Sequence, residues 1–261
     1  MSSSEPNLQN IPVRSELGAR MREFFVAGEG NVLVDADYSQ IELRVLAHMA
    51  NDERMISAFA DGVDIHRTTA ASVFGVPIEE VTPKQRTFSK AVNFGIVYGI
   101  SDFALADDLG ISRREAREMI DKYLENYSGV KKYMSEIVTF ARDNGYVSTM
   151  FGRRRALPDI KASNFNVRSA AERMALNAPI QGSAADIIKF AMVAVSRRLE
   201  SEGLKAELIL QVHDELIVEC PEDEALRVKA VLEEEMSRVA SLSVALKADA
   251  AVGKSWAEAK N

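Results

Sequence analysis

The chain has 261 residues, 47% apolar and 27% charged, which excludes a disordered segment and suits one large domain or two modest ones. One cysteine (Cys220) and three histidines (His48, His66, His213) exclude an internal disulfide and leave too few ligands for a zinc cage; no stretch approaches the roughly 20 apolar residues of a membrane span, and Met1–Pro6 lacks a secretory core, so a reduced, cytoplasmic protein without a membrane partner is expected. The net charge of −7 is uneven: residues 1–30 sum to −1, 31–82 to −6, 83–190 to +5 and 191–261 to −5, and a basic middle between acidic flanks suits a site that grips phosphates and gathers cations, or equally an ordinary scatter of surface charge.

In chain order, residues 1–15 read as an extended polar lead-in with Pro6 and Pro12. The apolar run Asn31 to Asp37, ending in acids, predicts a buried strand. Ser39 to Ala60 reads as helix, with Ile41, Leu43, Val45, Leu46, Met49, Ile56 and Phe59 on its apolar positions. Asp64 is placed to cap a helix reaching Val73, and Pro77 to Thr82 is a connector. Pro83 opens a helix to about Tyr98. Ser101 and Gly110-Ile111-Ser112 punctuate further helices, and Ser112 with Glu115 forms a capping box for a helix to Asn126. Another helix spans Gly129 to Asn144 and stops at Gly145. Tyr146–Met150 and Arg155–Leu157, turning at Phe151-Gly152-Arg153, predict a small hairpin. A long helix from Asn166 to Glu200 is expected to break near Pro179. Ala206–Val212 and Leu216–Cys220 flank His213-Asp214-Glu215 as a hairpin with acids at its turn. Glu222–Val239 is an amphipathic helix and Val244–Val252 a strand. The pattern is α+β, with strands near both ends and a helical block inserted between them.

Asp37 ends the first strand and Asp214 sits in the late turn. If those strands pair, two carboxylates suit hard cations that also bind substrate phosphates and assist an in-line displacement; taken singly, each is equally a solvated turn aspartate. Arg86, Lys90, Phe94 and Tyr98 recur every four residues and form one slanting stripe. Its cations suit a triphosphate and its rings a stacked base, with Gly95 and Gly99 leaving room for a flat ligand; the alternative is an ordinary surface helix. Arg173, Asn177 and Gln181, again four apart, suit minor-groove acceptors or simply a solvated face. Arg153, Arg154 and Arg155 with Lys161 and Arg168 suit backbone phosphates or solvent. His66 and Cys220 read as structural or ancillary, and there is no nucleophilic triad, Walker loop or dinucleotide fingerprint.

Together these segments resemble the polymerase domain of the bacterial family A DNA polymerases. Pro6-Asn7-Leu8-Gln9-Asn10-Ile11-Pro12 is similar to the palm-edge segment that meets primer–template, Asp37-Tyr38-Ser39-Gln40-Ile41-Glu42-Leu43-Arg44 to motif A, Arg86, Lys90 and Asn93-Phe94-Gly95-Ile96-Val97-Tyr98-Gly99 to motif B, and Val212-His213-Asp214-Glu215 to motif C. The order is the family's, and the resemblance covers essentially the whole chain. It implies DNA-directed synthesis with two Mg²⁺ ions, Mn²⁺ as a substitute, in DNA replication and repair. Asp37 and Asp214 would bind the metals, with the Tyr38 carbonyl and the accessory acid Glu215. Arg86 and Lys90 would hold the incoming triphosphate, Lys90 also serving as general acid. Phe94 would pack on the sugar, Tyr98 close over the nascent pair, and Glu42 exclude a 2′-hydroxyl. Gln40 and His213 would line the nucleotide site. Asn7, Gln9, Arg173, Asn177, Gln181 and His213 would touch DNA. Phe at 94 matches the variant that uses dideoxynucleotides poorly, and Thr87 departs from a frequent second arginine.

The implied architecture is a palm of residues 1–49 and 168–261, a mainly antiparallel sheet backed by helices, with helical fingers at 50–167. Partners would be primer–template DNA and deoxynucleoside triphosphates, and the location cytoplasmic and nucleoid-associated. The resemblance begins inside the palm, so thumb and exonuclease domains are expected to be absent, with a thumb supplied by a parent chain. An open sheet edge would then favour self-association. The alternative is a palm–fingers fragment that binds DNA or nucleotide but is catalytically incomplete. A single-subunit RNA polymerase with related motifs fits less well, because Glu42 and the Phe94/Tyr98 pair favour deoxynucleotides.

Overall fold

The structure, a computed structural model, describes residues 11, 18 and 20–260; Asn7 and Gln9 lie outside the described residues. The chain divides into two compact units, one holding the chain up to Ile41 with Ala185–Ser241 and the stretch from Leu246, the other Glu42–Ala184 with Leu242–Ala245.

The first unit is built on a four-stranded sheet of β1 (Asn31–Tyr38), β4 (Glu207–Val212), β5 (Glu215–Pro221) and β6 (Ala248–Gly253), in the order β4-β5-β1-β6 with every neighbouring pair antiparallel. β1 is central and buried on both faces from Val32 to Ala36, its apolar residues interrupted by Asp35, which is itself buried. On one face Tyr38 donates from its hydroxyl to the Met236 carbonyl at 2.7 Å, on the helix Ala225–Arg238. On the other, Leu33 packs with Val212, Ile217, Trp256 and Ala259. The expected strand from Val244 begins only at Ala248, because the preceding carbonyls are taken elsewhere: Arg44 bonds the Ala245 carbonyl at 2.6 Å and the Ser39 amide that of Lys247 at 2.8 Å.

The second unit is helical, with a hairpin of β2 (Tyr146–Ser148) and β3 (Arg154–Ala156). The expected helix Ser39–Ala60 is two helices, Ile41–Ala50 and Glu53–Ala60. Asn51 turns left-handed between them at φ 45°, a conformation asparagine tolerates. Asp52 then caps the second helix through the Met55 amide at 3.0 Å, while its other oxygen accepts from the amides of Gly129 and Val130 at 2.8 and 3.2 Å. One buried carboxylate therefore serves the starts of two helices, the second being Ser128–Asn144. A Cβ at Gly129 would lie 2.8 Å from the Asp52 Cα, so only glycine fits there. The helices Ile65–Phe74, Pro83–Val97, Asp102–Leu109 and Arg113–Asn126 begin at the side-chain caps Asp64, Thr82, Ser101 and Ser112.

The long helix runs unbroken from Phe165 to Ser201 with Pro179 inside it, against the expected break. Packing overrides the proline: Ala175, Pro179 and Ile180 are buried, and the Ser183 hydroxyl donates to the Pro179 carbonyl at 2.6 Å while accepting from the Met150 amide at 3.0 Å. By length and composition this helix is apolar enough to cross a membrane, a property the sequence reading did not anticipate; Ile187, Ala191 and Val195 are buried within the protein.

Asp52→Ala should destabilise the fold by about 2–4 kcal/mol, from one lost cap and two further orphaned amides. Urea unfolding measures this, and a loss below about 1 kcal/mol would remove Asp52 from its double role.

Candidate functional site

In the first unit the β1–β5 register sets Asp37 directly opposite Glu215, and on the other side β6 sets Asp249 opposite Asp37. The Tyr38 amide donates to the Asp214 carbonyl at 3.3 Å, so Asp37 and Asp214 come together as the sequence suggested. Asp214 is held by the two-residue turn between β4 and β5, where His213 adopts φ 50° and its carbonyl accepts from Gln211 at 2.6 Å. Asp35 lies on the same face of β1 as Asp37. It is 3% exposed and accepts from the Trp256 indole at 3.1 Å. Gln40 is also left-handed, at φ 50°, with its side-chain oxygen 3.4 Å from the Ser39 hydroxyl.

Among the described residues Lys247 pairs with Asp249 at 3.1 Å, and two further cations meet Asp37 and Glu215. Lys260 donates to Asp37 Oδ2 at 3.0 Å and to Glu215 Oε1. Arg22 stacks 4.3 Å from the Trp256 ring centre and lies 4.0 Å from Glu215 Oε2. Burial, then the negative charge of Asp37, pushes the Asp214 carboxyl up to about 7. Burial and then Glu215 raise Asp35 in the same sense. A cavity of about 200 Å³ opens here, lined by Asp35, Asp37, Tyr38, Ser39, Asp249 and Lys260. Asp35 Oδ1, Asp37 Oδ1 and Glu215 Oε2 are buried without a hydrogen-bond partner among the described residues. Such oxygens are hard donors and fit Mg²⁺ or Mn²⁺. No three His, Cys, Asp or Glu side chains among the described residues converge as a complete ligand set. The arrangement therefore fits an ion that takes its remaining ligands from water or a bound phosphate.

In the second unit the stripe of the Pro83–Val97 helix faces outward, with Arg86 and Phe94 half-buried and Lys90 and Tyr98 exposed. Arg86 bonds Asp64 at 2.6 Å, and Asp64 also caps the helix Ile65–Phe74. Burial works to raise the Asp64 carboxyl, but the Arg86 bond and two amides hold it below the usual range. The Lys90 ammonium lies 6.0 Å from the Phe94 ring centre, and Phe94 sits 5.8 Å from the His66 ring. His66 is buried, bonded to Asn93 at 3.0 Å, and burial pushes its imidazole down to about 4, so it is neutral at physiological pH.

Tyr98 donates to Glu42 Oε2 at 2.9 Å, and Gln181 bonds the same carboxylate. Burial nevertheless raises the Glu42 carboxyl, the bonds from Tyr98 and Gln181 opposing it only in part. Gly99, at φ 65°, packs under Arg173 and Leu176, where a Cβ would meet side-chain atoms at 3.1 and 3.2 Å. The end of one stripe thus meets the other. The space beside the rings is not open, however: Ile100 fills the gap at Gly95, where a Cβ would lie 2.7 Å away. Arg173 bonds Ser169 at 3.0 Å, and Asn177 is half-buried. The basic cluster is spread over separate partners: Arg153 bonds the Gly182 carbonyl at 2.9 Å, Arg154 stacks on Tyr146 at 4.6 Å, and Arg168 bonds the Ala162 carbonyl at 2.8 Å.

Sequence reasoning missed Asp35, Lys260, Arg22 and Trp256 around the acids. Asp35 carried a signal, its spacing of two from Asp37 on a strand. Lys260 and Arg22 carried none.

The sequence model of DNA polymerase family A matches residues 1–258. DNA polymerase I of Caldicellulosiruptor bescii is 55% identical over 260 residues, covering 100% of this chain and 31% of that protein. DNA polymerase I of Bacillus caldotenax is 56% identical over 261 residues, covering 100% of this chain and 30% of that protein. Among solved structures, the POL domain of Pol1 from M. smegmatis in complex with DNA primer-template and dNTP superposes with a TM-score of 0.95 at 48% identity, over 100% of this chain and 46% of that one. The chain spans about 30% of the length of the curated relatives it matches.

Asp214 carries a folded-state value of about 7 against an ordinary 3.8. Between those values the folded protein holds the extra proton, so this group's contribution to stability is full at low pH and is lost as pH rises towards 7. Asp214→Asn should therefore raise the melting temperature at pH 8 in chelator and leave it nearly unchanged at pH 4 (about the ordinary carboxyl range); thermal melts with equal shifts at both pH values would contradict the burial of this charge.

Proposed function

We propose that this chain, which belongs to DNA polymerase family A, is the palm and fingers part of a DNA-directed DNA polymerase that transfers deoxynucleotides to a primer 3′-hydroxyl and releases pyrophosphate. The observation that carries the proposal is the convergence of Asp37, Asp214 and Glu215 at one end of the inner strands β1 and β5. Palm would comprise residues 1–49 and 168–261, and fingers 50–167. Its substrates would be primer–template DNA and deoxynucleoside triphosphates, and its setting the bacterial cytoplasm and nucleoid.

Asp37 and Asp214, with the Tyr38 carbonyl and Glu215, would hold two Mg²⁺ ions. Bound there, the ions supply activation of the 3′-hydroxyl and neutralisation of the leaving charge. The chain's own residues bind and orient. Arg86, aimed by its bond to Asp64, and the exposed Lys90 present two cations to a triphosphate. Lys90, with three donors on a flexible stem, is also the group that would give a proton to pyrophosphate. The half-buried Phe94, backed by neutral His66, offers a ring face to the sugar. Glu42, held in place by Tyr98 and Gln181, would be a fixed steric block where a 2′-hydroxyl falls, its carboxylate being already engaged by those two donors. Gln40 and His213, both in left-handed turns, would border the nucleotide. Asn7, Gln9, Arg173, Asn177 and Gln181 would meet the primer–template, the last three as a row of donors suited to minor-groove acceptors.

A second reading, binding of DNA or nucleotide without efficient extension, is favoured by the acid cluster, where no three His, Cys, Asp or Glu side chains among the described residues converge as a complete ligand set. Contacts to the phosphate backbone would then be few, so binding would be weak and its salt dependence shallow.

Primer extension with all four deoxynucleotides at low salt tests both. Asp37→Ala and Asp214→Ala should each lower extension on the order of a thousandfold or more, about 4 kcal/mol of barrier. Undiminished extension in either variant would remove the acid pair from catalysis. DNA binding with no extension by the unaltered chain selects the second reading. In the same assay Glu42→Ala should raise ribonucleotide use relative to deoxynucleotide by about tenfold or more; an unchanged ratio would acquit Glu42 of substrate selection.

A further inference from the structure

Asp37 and Glu215 are register partners on β1 and β5, so the backbone holds their side chains next to one another whether or not anything is bound. Two ionised carboxylates so placed repel unless a cation or a proton lies between them. Lys260 lies between them, bonded to Asp37 Oδ2 at 3.0 Å and to Glu215 Oε1. Each acid keeps its second oxygen, Asp37 Oδ1 and Glu215 Oε2, buried and without a hydrogen-bond partner among the described residues, with Arg22 4.0 Å from Glu215 Oε2 as a longer ion pair. The lysine thus uses only half of the donor capacity that the acids present.

The attachment of Lys260 is rigid at the backbone and loose at the charge. It follows the short helix Trp256–Ala259, and Trp256 is pinned by its bond to Asp35 at 3.1 Å and by the Phe25 ring at 5.6 Å. Its own side chain is 28% exposed, so a path to solvent is open. An ammonium on a four-carbon stem is a strongly hydrated point charge without the planar fork that locks arginine to a carboxylate. It can leave for water where an arginine would stay.

We propose that Lys260 is a built-in, displaceable counter-ion: it holds Asp37 and Glu215 together in the metal-free protein and gives up its place to an incoming divalent cation, so its charge sets how much cation is needed. This rests on the acid cluster being the cation site. Lys260 is in this sense a positioning residue, acting through the two acids.

The test is Mn²⁺ binding to the full chain without nucleotide or DNA, followed by electron paramagnetic resonance of the free ion. Lys260→Met and Lys260→Gln should each bind Mn²⁺ about tenfold more tightly, equivalent to roughly 1.4 kcal/mol, whereas Lys260→Arg keeps the charge and should not gain affinity. In chelator, Lys260→Met should melt below the unaltered chain, and Mn²⁺ should raise its melting temperature by the larger increment. A merely structural lysine would lower melting equally with and without Mn²⁺ and leave the affinity where it was. Unchanged or weaker binding in both neutral variants, with binding still abolished by Asp37→Asn, overturns the counter-ion role alone. No Mn²⁺ binding by the unaltered chain overturns that role together with the metal site.

Discussion

The antiparallel pairing of β1 with β5 is the constraint on which the acid site depends. Side chains on paired strands have no freedom to move apart, so the register that sets Asp37 opposite Glu215, together with the turn that holds Asp214, concentrates negative charge at one place. That concentration is unfavourable in itself. It is tolerated because the ladder, the apolar faces of β1 and two nearby cations offset it, and because Asp214 and Asp35 respond by holding protons more tightly. The rest of the sheet thus holds these acids together against their mutual repulsion.

The helical unit solves a different problem, how to aim long flexible cations. Its caps do so as a by-product of ending helices. Asp64 satisfies amides at the start of one helix and, with its other oxygen, fixes Arg86 on the next. Thr69, Asn93, His66 and Tyr127 form a buried hydrogen-bonded polar chain, and the His66 ring at its end lies beside Phe94. His66 illustrates how a residue can look structural and still shape a binding surface: it is buried, neutral and in contact with the ring that would meet a ligand.

The glycines next to the aromatic pair carry a similar lesson. Their lack of side chains suggests empty space, but Gly95 and Gly99 are small so that Ile100, Arg173 and Leu176 can approach. The close approach at Gly99 brings the polar row of the long helix to the end of the stripe, and Glu42 is gripped from both by Tyr98 and Gln181. The selectivity assigned to Glu42 would therefore depend on a junction between two helices and not on one residue.

Local chemistry was legible in the chain itself. Caps at Asp64, Ser101 and Ser112, the strand from Asn31, the late hairpin and the stripe from Arg86 to Tyr98 follow from short-range rules of periodicity and hydrogen bonding. The motifs in their order also carried the family. What the sequence could not determine was decided by contacts between distant segments. The helix breaks at Asn51 because Asp52 can serve a second helix 77 residues away, and it continues through Pro179 because buried neighbours and Ser183 hold it. Lys260 and Arg22 lie beyond any motif, and their place at the acids is a matter of tertiary approach across 223 residues in the case of Lys260 and Asp37. Sequence spacing reports what one turn or one strand can do by itself. Which charges finally face each other is set by strand pairing and packing, whose energies belong to the whole fold.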